Sequence, residues 1–562
     1  MDFNRIREKA LSDKGSWWVF VIWSLLVSGY WLPRNLSFYG GHDWDLTYSM
    51  FEAARKSIVE YGQFPQFNIW AGFGTDMVAD PQHGFFSIYF IPVLLLGTFY
   101  GYKISILIGM ILGAAGAYRW FGCISKDKLL NLCAALMFGS ASYFSAHIFT
   151  AGHSNVLYVY LLPWFLYGLG KLQQQYALKY LILCTGILFQ MICGGAPIVF
   201  LITMVAAAIW WLAHFWILKN LRNPLLVPGI VLSSLLLSLW KLIPGLALWS
   251  TTPRLVLDES GMNPISWLQS LGGFETRTVT WHSWFEYTLG FEIVLLGLLW
   301  YYRKAVPGKW WQWTILILPV LWLCLGNFPV YINPWYFLNH YIPFFTSMRA
   351  PMRFGIVFIP FLYAAMLYVM RNASELPLLR TLFVFGAVSR MLAFSAETSL
   401  LANTEQMLPE QVEAADNKTY PRPVSLRGTD RNHQFLHVLQ NELVMNAYEP
   451  LVTTPVYDSL RSMTKGAVLT HFSPTLLRAK TQGKGPVVFN VRKSENWHLR
   501  GPGKLVYYSG LLAVENPGAA VEVYYKNPHL HRGLLFSILG FPCLVLLHLY
   551  SRKRAKSNFA SV

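Results

Sequence analysis

Long apolar runs separated by short polar turns dominate the chain. The first run, Ser16 to Leu32, follows a basic start and precedes no small-residue cleavage site, so it predicts a signal anchor. The pattern as a whole predicts a polytopic α-helical membrane protein with about twelve or thirteen transmembrane or re-entrant helices. Further spans are predicted at residues 103–120, 129–147, 155–172, 178–194, 196–216, 225–247, 284–302, 310–328, 354–370, 380–397 and 532–550.

One apolar segment, residues 84–101, does not fit this alternation of spans and turns. If both termini lie on the same side, the number of crossings is even, and the other spans already supply it. A backbone that dips into the membrane and returns is tolerated only where protein or a wet cavity covers it. We therefore expect that residues 84–101 are re-entrant beside a functional cleft. The alternative is that one of the other spans is assigned wrongly.

A polar stretch at residues 398–531 is the only sizeable soluble part. Its first half has the composition of helix and loop. Its second half alternates apolar and polar residues in PVVFNVRK, KLVYYSGLLAVE and AAVEVYYKN, which predicts a small β-sandwich. The predicted organisation is a membrane module at 1–397 with a large first outer loop at 33–83, a soluble domain at 398–531, and a final span with a basic tail at 532–562.

Composition and charge support a membrane location. Hydrophobic residues make up 54% of the 562 residues and charged residues only 13%, about half the charged fraction of a soluble domain. The formal net charge is +17, but the cations cluster in turns on one side of the spans, as cytoplasmic loops require, so nucleic acid is not an expected partner. The large polar loops then lie outside. The six cysteines lack metal or redox spacing.

The sharpest candidate chemistry is the motif GGHDWDLTY in the first outer loop, where Asp43 and Asp45 flank Trp44. Carboxylates at i and i+2 share a face in extended backbone and could act as a general base or bind a divalent cation. The structural alternative is that the acids are solvated, or that Asp45 caps the amphipathic helix that follows. That helix carries Arg55 and Lys56, which suits the membrane interface or a phosphate.

Three stretches carry a resemblance to a known family. They are FPQFNIWAGFGTDMVADPQHGFFSIYFIP at residues 64–92, SMRAPMRF at 347–354, and KLVYYSGLLAVENPGAAVEVYYKNPHLHRGLLFSILG at 504–540. The first stretch resembles the corresponding segment of bacterial YfhO-like membrane proteins, which are similar to glycosyltransferases of the GT-C superfamily. The middle of the chain matches only as hydrophobic spans, so the motifs indicate the superfamily better than the substrate.

The resemblance implies an enzyme in the bacterial cytoplasmic membrane with its active site facing outside. It would move a sugar from a polyprenyl-phosphate donor to a glycan, lipid or polymer acceptor, with inversion. Asp43 would be the general base and Asp45 its partner, or the two would exchange these roles. No cofactor is certain, and a divalent cation remains open.

Other polar residues on the predicted outer side are candidates to bind the substrates. Arginines are disfavoured in outer loops, so Arg349 and Arg353 there need a binding partner, and a departing phosphate suits arginine. The alternative is that Arg353 snorkels from the helix end and Arg349 pairs with a loop carboxylate. The further donor-phosphate candidates are His83 and Arg55. The substrate-binding candidates are His42, Trp44, Asp80, His153 and Asn155. For the histidines, a structural hydrogen bond to backbone is the alternative.

Two other functions compete with glycosyl transfer. A flippase or transporter of lipid-linked sugars would place charges within the spans, where only Lys241 and Glu292 stand out. A non-catalytic scaffold would use the β-rich domain to bind glycan or a partner. The gathering of polar residues on one side favours chemistry there.

Overall fold

The structure, a computed structural model, is mostly helical with a β-rich region near the C-terminus. It describes residues 12–32, 43–251, 288–290, 294–326, 332–342, 345, 348, 350–372, 377–401, 434–439, 441–442, 464–482, 485–492 and 494–560. The α-helices are α1 (Asp13–Ser28), α2 (Trp44–Val59), α3 (Ile91–Leu96), α4 (Thr98–Phe121), α5 (Lys128–Gly139), α6 (Ser142–Phe144), α7 (Leu162–Gln174), α8 (Leu178–Cys193), α9 (Pro197–Leu212), α10 (Leu226–Leu237), α11 (Leu239–Thr251), α12 (Val294–Tyr301), α13 (Trp310–Cys324), α14 (Pro334–Tyr341), α15 (Phe358–Asn372), α16 (Pro377–Leu401), α17 (Gln434–Leu439), α18 (Pro528–Ser537) and α19 (Gly540–Ala560).

Tighter and wider helical turns interrupt the α-helices. The 3₁₀ turns are Gly29–Trp31, Ile88–Phe90, Ser154–Leu161, Arg303–Ala305 and Pro351–Val357, and the π-helical turns are Ser145–Thr150 and Ala213–Ile217. The strands are β1 (Phe67–Asn68), β2 (Thr75–Asp76), β3 (Thr464–Lys465), β4 (Ala467–Ser473), β5 (Leu476–Thr481), β6 (Val487–Arg492), β7 (Trp497–Arg500), β8 (Lys504–Tyr508), β9 (Leu511–Glu515) and β10 (Ala520–Tyr525).

Every predicted apolar span overlaps an α-helix, so the helical membrane fold class is confirmed. Within the described residues, 6 helices are long and apolar enough to cross a membrane, or 7 if the bent pair α10 and α11 counts as one span. The two members of that pair meet at 72°. Among the described residues, full-length spans are thus fewer than the predicted twelve or thirteen transmembrane or re-entrant helices, because α1, α8 and α13 are shorter apolar helices and the pair α10 and α11 is bent.

Small residues allow close packing in the helical core. A Cβ at Gly113 of α4 would lie 2.2 Å from the Tyr160 ring, and one at Gly116 would lie 2.5 Å from the Trp164 ring. These glycines let α4 pack against the 3₁₀ turn at Ser154–Leu161 and against α7, as small residues do in membrane helix interfaces.

The segment at 84–101 is a short helix followed by a sharp turn. Helix α3 has 6 residues, too few to cross a membrane, and Gly97 then turns the chain at φ 79° into α4. Leu95 and Leu96 are exposed, while Val93 packs against α4. The segment therefore folds back beside α4 instead of continuing as a separate span.

The predicted β-rich half forms two four-stranded antiparallel sheets. Their strand orders are β4-β5-β10-β7 and β3-β6-β9-β8. Leu477 and Val523 of the first sheet share a hydrophobic core with Phe489 and Leu512 of the second, as expected for a sandwich. The opposite face of the second sheet is also covered, by Phe73 of the first predicted outer loop. Burial on both faces explains the apolar run of β6.

Asp76, at the end of β2, ties that loop to the β-rich region. Its carboxylate accepts hydrogen bonds from the Tyr525 hydroxyl at 2.6 Å and from the Asn527 side-chain amide at 2.5 Å. The backbone N–H of Ala79 donates to the same carboxylate at 2.7 Å. Burial nevertheless raises the pKa of Asp76. Residues 67–79 and the β-rich region are therefore packed together.

Candidate active site

The start of α2 is held against a turn that follows a π-helical segment. The backbone N–H of Asp43 donates to the carbonyl of Ala151 at 2.9 Å, and the hydroxyl of Thr47 donates to the carbonyl of Gly152 at 2.8 Å. These two bonds join the first turn of α2 to a chain segment more than one hundred residues later. They fix the direction in which the Asp43 side chain leaves the backbone.

Gly152 makes this approach sterically possible. It has φ +73°, which side chains rarely adopt, and a Cβ there would lie 2.5 Å from the backbone nitrogen of Trp44. Since the obstructing atom belongs to backbone, it cannot move aside as a flexible side chain could. A glycine is required where the turn meets α2.

The Asp43 carboxylate is the first member of a line of polar groups. Its Oδ2 lies 3.3 Å from Nε2 of His153, and the Asp43 side chain is 35% exposed while that of His153 is only 8% exposed. On the other side of the ring, Nδ1 of His153 lies 3.0 Å from Nδ1 of the buried His147. The Tyr143 ring lies against His147, with ring centroids 4.3 Å apart and the ring planes tilted by 44°. The line thus runs from a partly exposed carboxylate into the protein.

The hydrogen-bonding roles in this line follow from what each group can do. An ionised carboxylate only accepts, so a neutral His153 that donates to Asp43 carries its proton on Nε2. Its Nδ1 is then an acceptor, and Nδ1 of His147 is the donor. This arrangement orients the carboxylate and links it to a second imidazole.

Asp45, the predicted partner of Asp43, binds the N-terminus of another helix, α17. Its two carboxylate oxygens accept hydrogen bonds from the backbone N–H groups of Gln434 at 2.8 Å and Phe435 at 2.9 Å. It is 4% exposed. The predicted capping of α2 by Asp45 is wrong, because α2 begins at Trp44 and Asp45 lies in its first turn. Asp45 instead caps α17.

Helix α2, which carries Asp45, also binds the C-terminal end of α17. Lys56, which the sequence placed at the membrane interface, is 1% exposed, and its ammonium donates to the carbonyl of Leu439 at 3.1 Å and to the side-chain oxygen of Asn441 at 2.9 Å. Burial lowers the pKa of Lys56. An acid at the N-terminus of α17 and a base at its C-terminus complement the helix dipole.

Two further side chains predicted to bind the substrates, those of Trp44 and Arg55, form hydrogen bonds to other groups of the protein. Trp44 is 1% exposed, and its indole N–H donates to the carbonyl of Phe149 at 3.1 Å, so its ring has no open face for a sugar. Arg55 forms a two-point hydrogen bond with Glu52 at 3.0 and 2.8 Å and lies 3.5 Å from Glu60. Its charge is therefore compensated within α2.

His83 is bound by α11, which carries Lys241. It is 1% exposed, and among the described residues neither ring nitrogen has a hydrogen-bond partner. Burial, with a smaller effect of Lys241, lowers the pKa of His83 to about 3. The Lys241 ammonium donates to the backbone carbonyls of His83 at 2.8 Å and Asp80 at 3.1 Å. The Asp80 carboxylate accepts from the N–H of Gln82 at 2.8 Å.

The remaining predicted residues have different positions. His42 and Arg349 lie outside the described residues. Arg353 is half-buried in the 3₁₀ turn Pro351–Val357, before α15. Asn155 follows His153, and its buried side-chain oxygen has no hydrogen-bond partner among the described residues. Of the predicted set, the structure brings the side chains of Asp43 and His153 into contact, and the backbone N–H of His83 donates to the carbonyl of Asp80.

A divalent cation finds no ready-made site in the part of the chain that the structure describes. There, no group of three or more His, Cys, Asp or Glu side chains is arranged to hold a metal ion. Both carboxylate oxygens of Asp45 already accept backbone hydrogen bonds from the start of α17.

Sequence reasoning missed His147 and Glu397. His147 contacts His153, and the Glu397 carboxylate, on α16, accepts hydrogen bonds from the hydroxyls of Ser142 and Ser145. Both residues fall within predicted apolar spans, 129–147 and 380–397. Polar residues inside such spans are themselves a signal of function.

Two solved structures are similar to this chain. The arabinofuranosyltransferase AftD from Mycobacteria aligns with 92% of this chain and 42% of its own, at 16% identity and a TM-score of 0.49. The archaeal oligosaccharyltransferase AglB from Archaeoglobus fulgidus, in complex with an inhibitory peptide and a dolichol-phosphate, aligns with 77% of this chain and 65% of its own, at 11% identity and a TM-score of 0.39. The chain thus spans less than half of the length of the first and less than two thirds of the second.

No family model and no curated protein matches the chain. Its resemblance to YfhO-like proteins therefore stays an expectation from the sequence.

Proposed function

We propose that this protein is a membrane glycosyltransferase of the GT-C type that uses a polyprenyl-phosphate-linked sugar. The acceptor is a glycan, lipid or polymer on the outer face of a bacterial cytoplasmic membrane. The proposal combines the family resemblance of the sequence with the candidate active site. Outside the cytoplasm nucleotide sugars are not available, so a transferase facing outward needs a donor carried by the membrane.

The observation that carries the proposal is the contact between Asp43 and His153. A partly exposed carboxylate, 3.3 Å from an imidazole nitrogen, stands at the start of an amphipathic helix that is packed against apolar helices. An ionised carboxylate can accept the proton of a bound hydroxyl. The imidazole orients it, as a base requires.

The proposed reaction is a single displacement. Asp43 takes the proton of the acceptor hydroxyl while the hydroxyl oxygen forms a bond to the anomeric carbon. The bond from that carbon to the phosphate oxygen breaks, and its electron pair leaves with the polyprenyl phosphate. Attack opposite the leaving group inverts the anomeric configuration. His153 and His147 hold Asp43 in the position for proton transfer.

The departing phosphate needs cationic donors. Arg349 and Arg353 remain our proposal for this role, because two arginines at a predicted outer turn suit a phosphate. Arg55 and Trp44 are left out of the proposal because Glu52 compensates the first and the second is buried. His83 is neutral at physiological pH, so any contribution would come through a hydrogen bond and not through charge.

The experiment compares lipid-linked sugars in cells that lack the gene and in the same cells complemented with variants. The deletion is expected to accumulate one polyprenyl-phosphate-linked sugar and to lose that sugar from an envelope glycan or lipid, both measured by mass spectrometry. Wild-type protein should restore both. Asp43→Asn should restore neither, at equal protein level in the membrane.

Glu495→Gln is the matched control, because Glu495 is an exposed acid in the turn between β6 and β7. It should complement fully. A deletion that leaves every lipid-linked sugar and envelope glycan unchanged would refute the proposed function.

A further inference from the structure

A charged pair lies within α16, a candidate membrane span. Arg390 and Glu397 are seven residues apart, about two helical turns, so they share one face. The guanidinium Nη2 of Arg390 lies 2.5 Å from Oε1 of Glu397, and Arg390 is 8% exposed. The Glu397 side chain is 28% exposed. Charged residues within an apolar span are costly and usually serve a site. The pair therefore needs a reason beyond stability.

Glu397 contacts the segment that leads to the candidate active site. The hydroxyl of Ser142 donates to its carboxylate at 2.8 Å, and the hydroxyl of Ser145 donates to its other oxygen. These serines lie at the beginning of α6 and of the π-helical turn Ser145–Thr150. That turn carries His147. Helix α16 thus holds the N-terminal end of segment 142–153. His153, at the C-terminal end of that segment, contacts Asp43.

The C-terminal end of segment 142–153 is held by a backbone hydrogen bond within the segment. The N–H of His153 donates to the carbonyl of His147 at 2.9 Å, and the two rings meet through their Nδ1 atoms. A shift of the π-helical turn would move His147 and, through it, the imidazole beside Asp43. π-Helical turns are frequent at functional sites because they place a side chain out of regular register.

We propose that Glu397 is a positioning residue for Asp43, acting through Ser142, Ser145 and His147, with Arg390 as its counter-charge. This inference rests on the proposed function, because it assigns Glu397 a part in aligning the same base. Loss of the carboxylate would release the turn, misalign the base and slow transfer, while the donor would still bind. A misplacement of about 1 Å costs about a hundredfold in rate.

The test measures kcat, the donor KM and the Tm of purified Glu397→Gln, using the lipid-linked sugar that accumulates in the deletion cells. We expect kcat to fall about tenfold to a hundredfold with the donor KM within about twofold of wild type. Glu397→Asp should recover part of the rate. Arg380→Gln is the matched control on the same helix, since Arg380 pairs with Asp127 at 3.7 Å at the other end of α16, and it should leave kcat unchanged.

A double variant separates positioning from a purely structural role. If Glu397 acts through the histidines, adding Glu397→Gln to His153→Gln should lower kcat no further, because both changes disable one unit. Should Glu397→Gln fail to fold, the double variant Ser142→Ala and Ser145→Ala keeps the ion pair and should show the same fall in kcat.

A kcat within twofold of wild type in these folded variants would overturn the inference, as would fully additive losses with His153→Gln. Wild-type transfer by Asp43→Asn would instead overturn the proposed function, so the two failures are distinguishable.

Discussion

Gly152→Ala should disturb the site by moving the turn away from α2. The added Cβ would lie 2.5 Å from the backbone nitrogen of Trp44 and 2.8 Å from its Cα. An ordinary contact is at least 3.4 Å, so the two backbones must separate by several tenths of an ångström up to about 1 Å. The left-handed backbone adds about 1 to 2 kcal/mol of strain.

Separation at this point weakens the contacts that orient the base. The hydrogen bonds of Asp43 to Ala151 and of Thr47 to Gly152 lengthen, and the 3.3 Å contact between Asp43 and His153 opens. We expect transfer to slow by about thirtyfold to a hundredfold. The assay is kcat for sugar transfer by purified protein, with Tm recorded in parallel.

Two glycines provide matched controls. Gly62→Ala introduces a side chain at φ +61° into open space, so it isolates backbone strain. Gly170→Ala lies in α7, also with nothing within 4 Å, and it tests the added methyl group alone. Both should transfer at the wild-type rate. If Gly152→Ala also transfers at that rate, the turn does not position Asp43 and the reasoning fails.

Three further predictions concern residues around the site. Asp45→Asn weakens the cap of α17 and should destabilise that helix by about 1 kcal/mol, seen as faster amide exchange in the peptide that contains Phe435; unchanged exchange would contradict the capping role. His83 has a folded pKa of about 3, below its unfolded value, so its contribution to stability is present above pH 6.5 and is lost as pH falls from 6.5 toward 3. Between pH 7.5 and 5.5, the free energy of unfolding of His83→Gln should therefore fall by about 1.4 kcal/mol less than that of wild type, measured by denaturant unfolding. An equal fall in both proteins would contradict the prediction. Arg353→Lys keeps the charge but not the planar fork and should weaken donor binding about tenfold by calorimetry, whereas unchanged affinity would remove Arg353 from the phosphate site.

The helices and strands could be predicted from local pattern, because long apolar runs and alternating residues report burial directly. The run in β6 and the span in α4 are examples. Local pattern does not report tertiary partners. Asp45 caps a helix 389 residues later in the chain, and no sequence signal links the two.

Polar residues within apolar runs were the other source of error. His147 and Glu397 fall in segments whose average composition indicates a span, so each was absorbed into a helix without a role. The amphipathic pattern around Lys56 indicates the membrane surface, because such a pattern does not distinguish lipid from a docked protein segment. Asp43 and His153 could be predicted singly, since both lie in predicted outer turns, but their contact depends on how the turn at Gly152 meets α2.

The most direct test of the central claim is the transfer rate of Asp43→Asn in nanodiscs, with the lipid-linked sugar identified in the deletion cells. Asparagine preserves the size of the side chain and removes the proton acceptor. We predict that kcat falls by about two to four orders of magnitude while donor affinity stays within about twofold of wild type. Transfer by Asp43→Asn at the wild-type rate would contradict the assignment of Asp43 as the base.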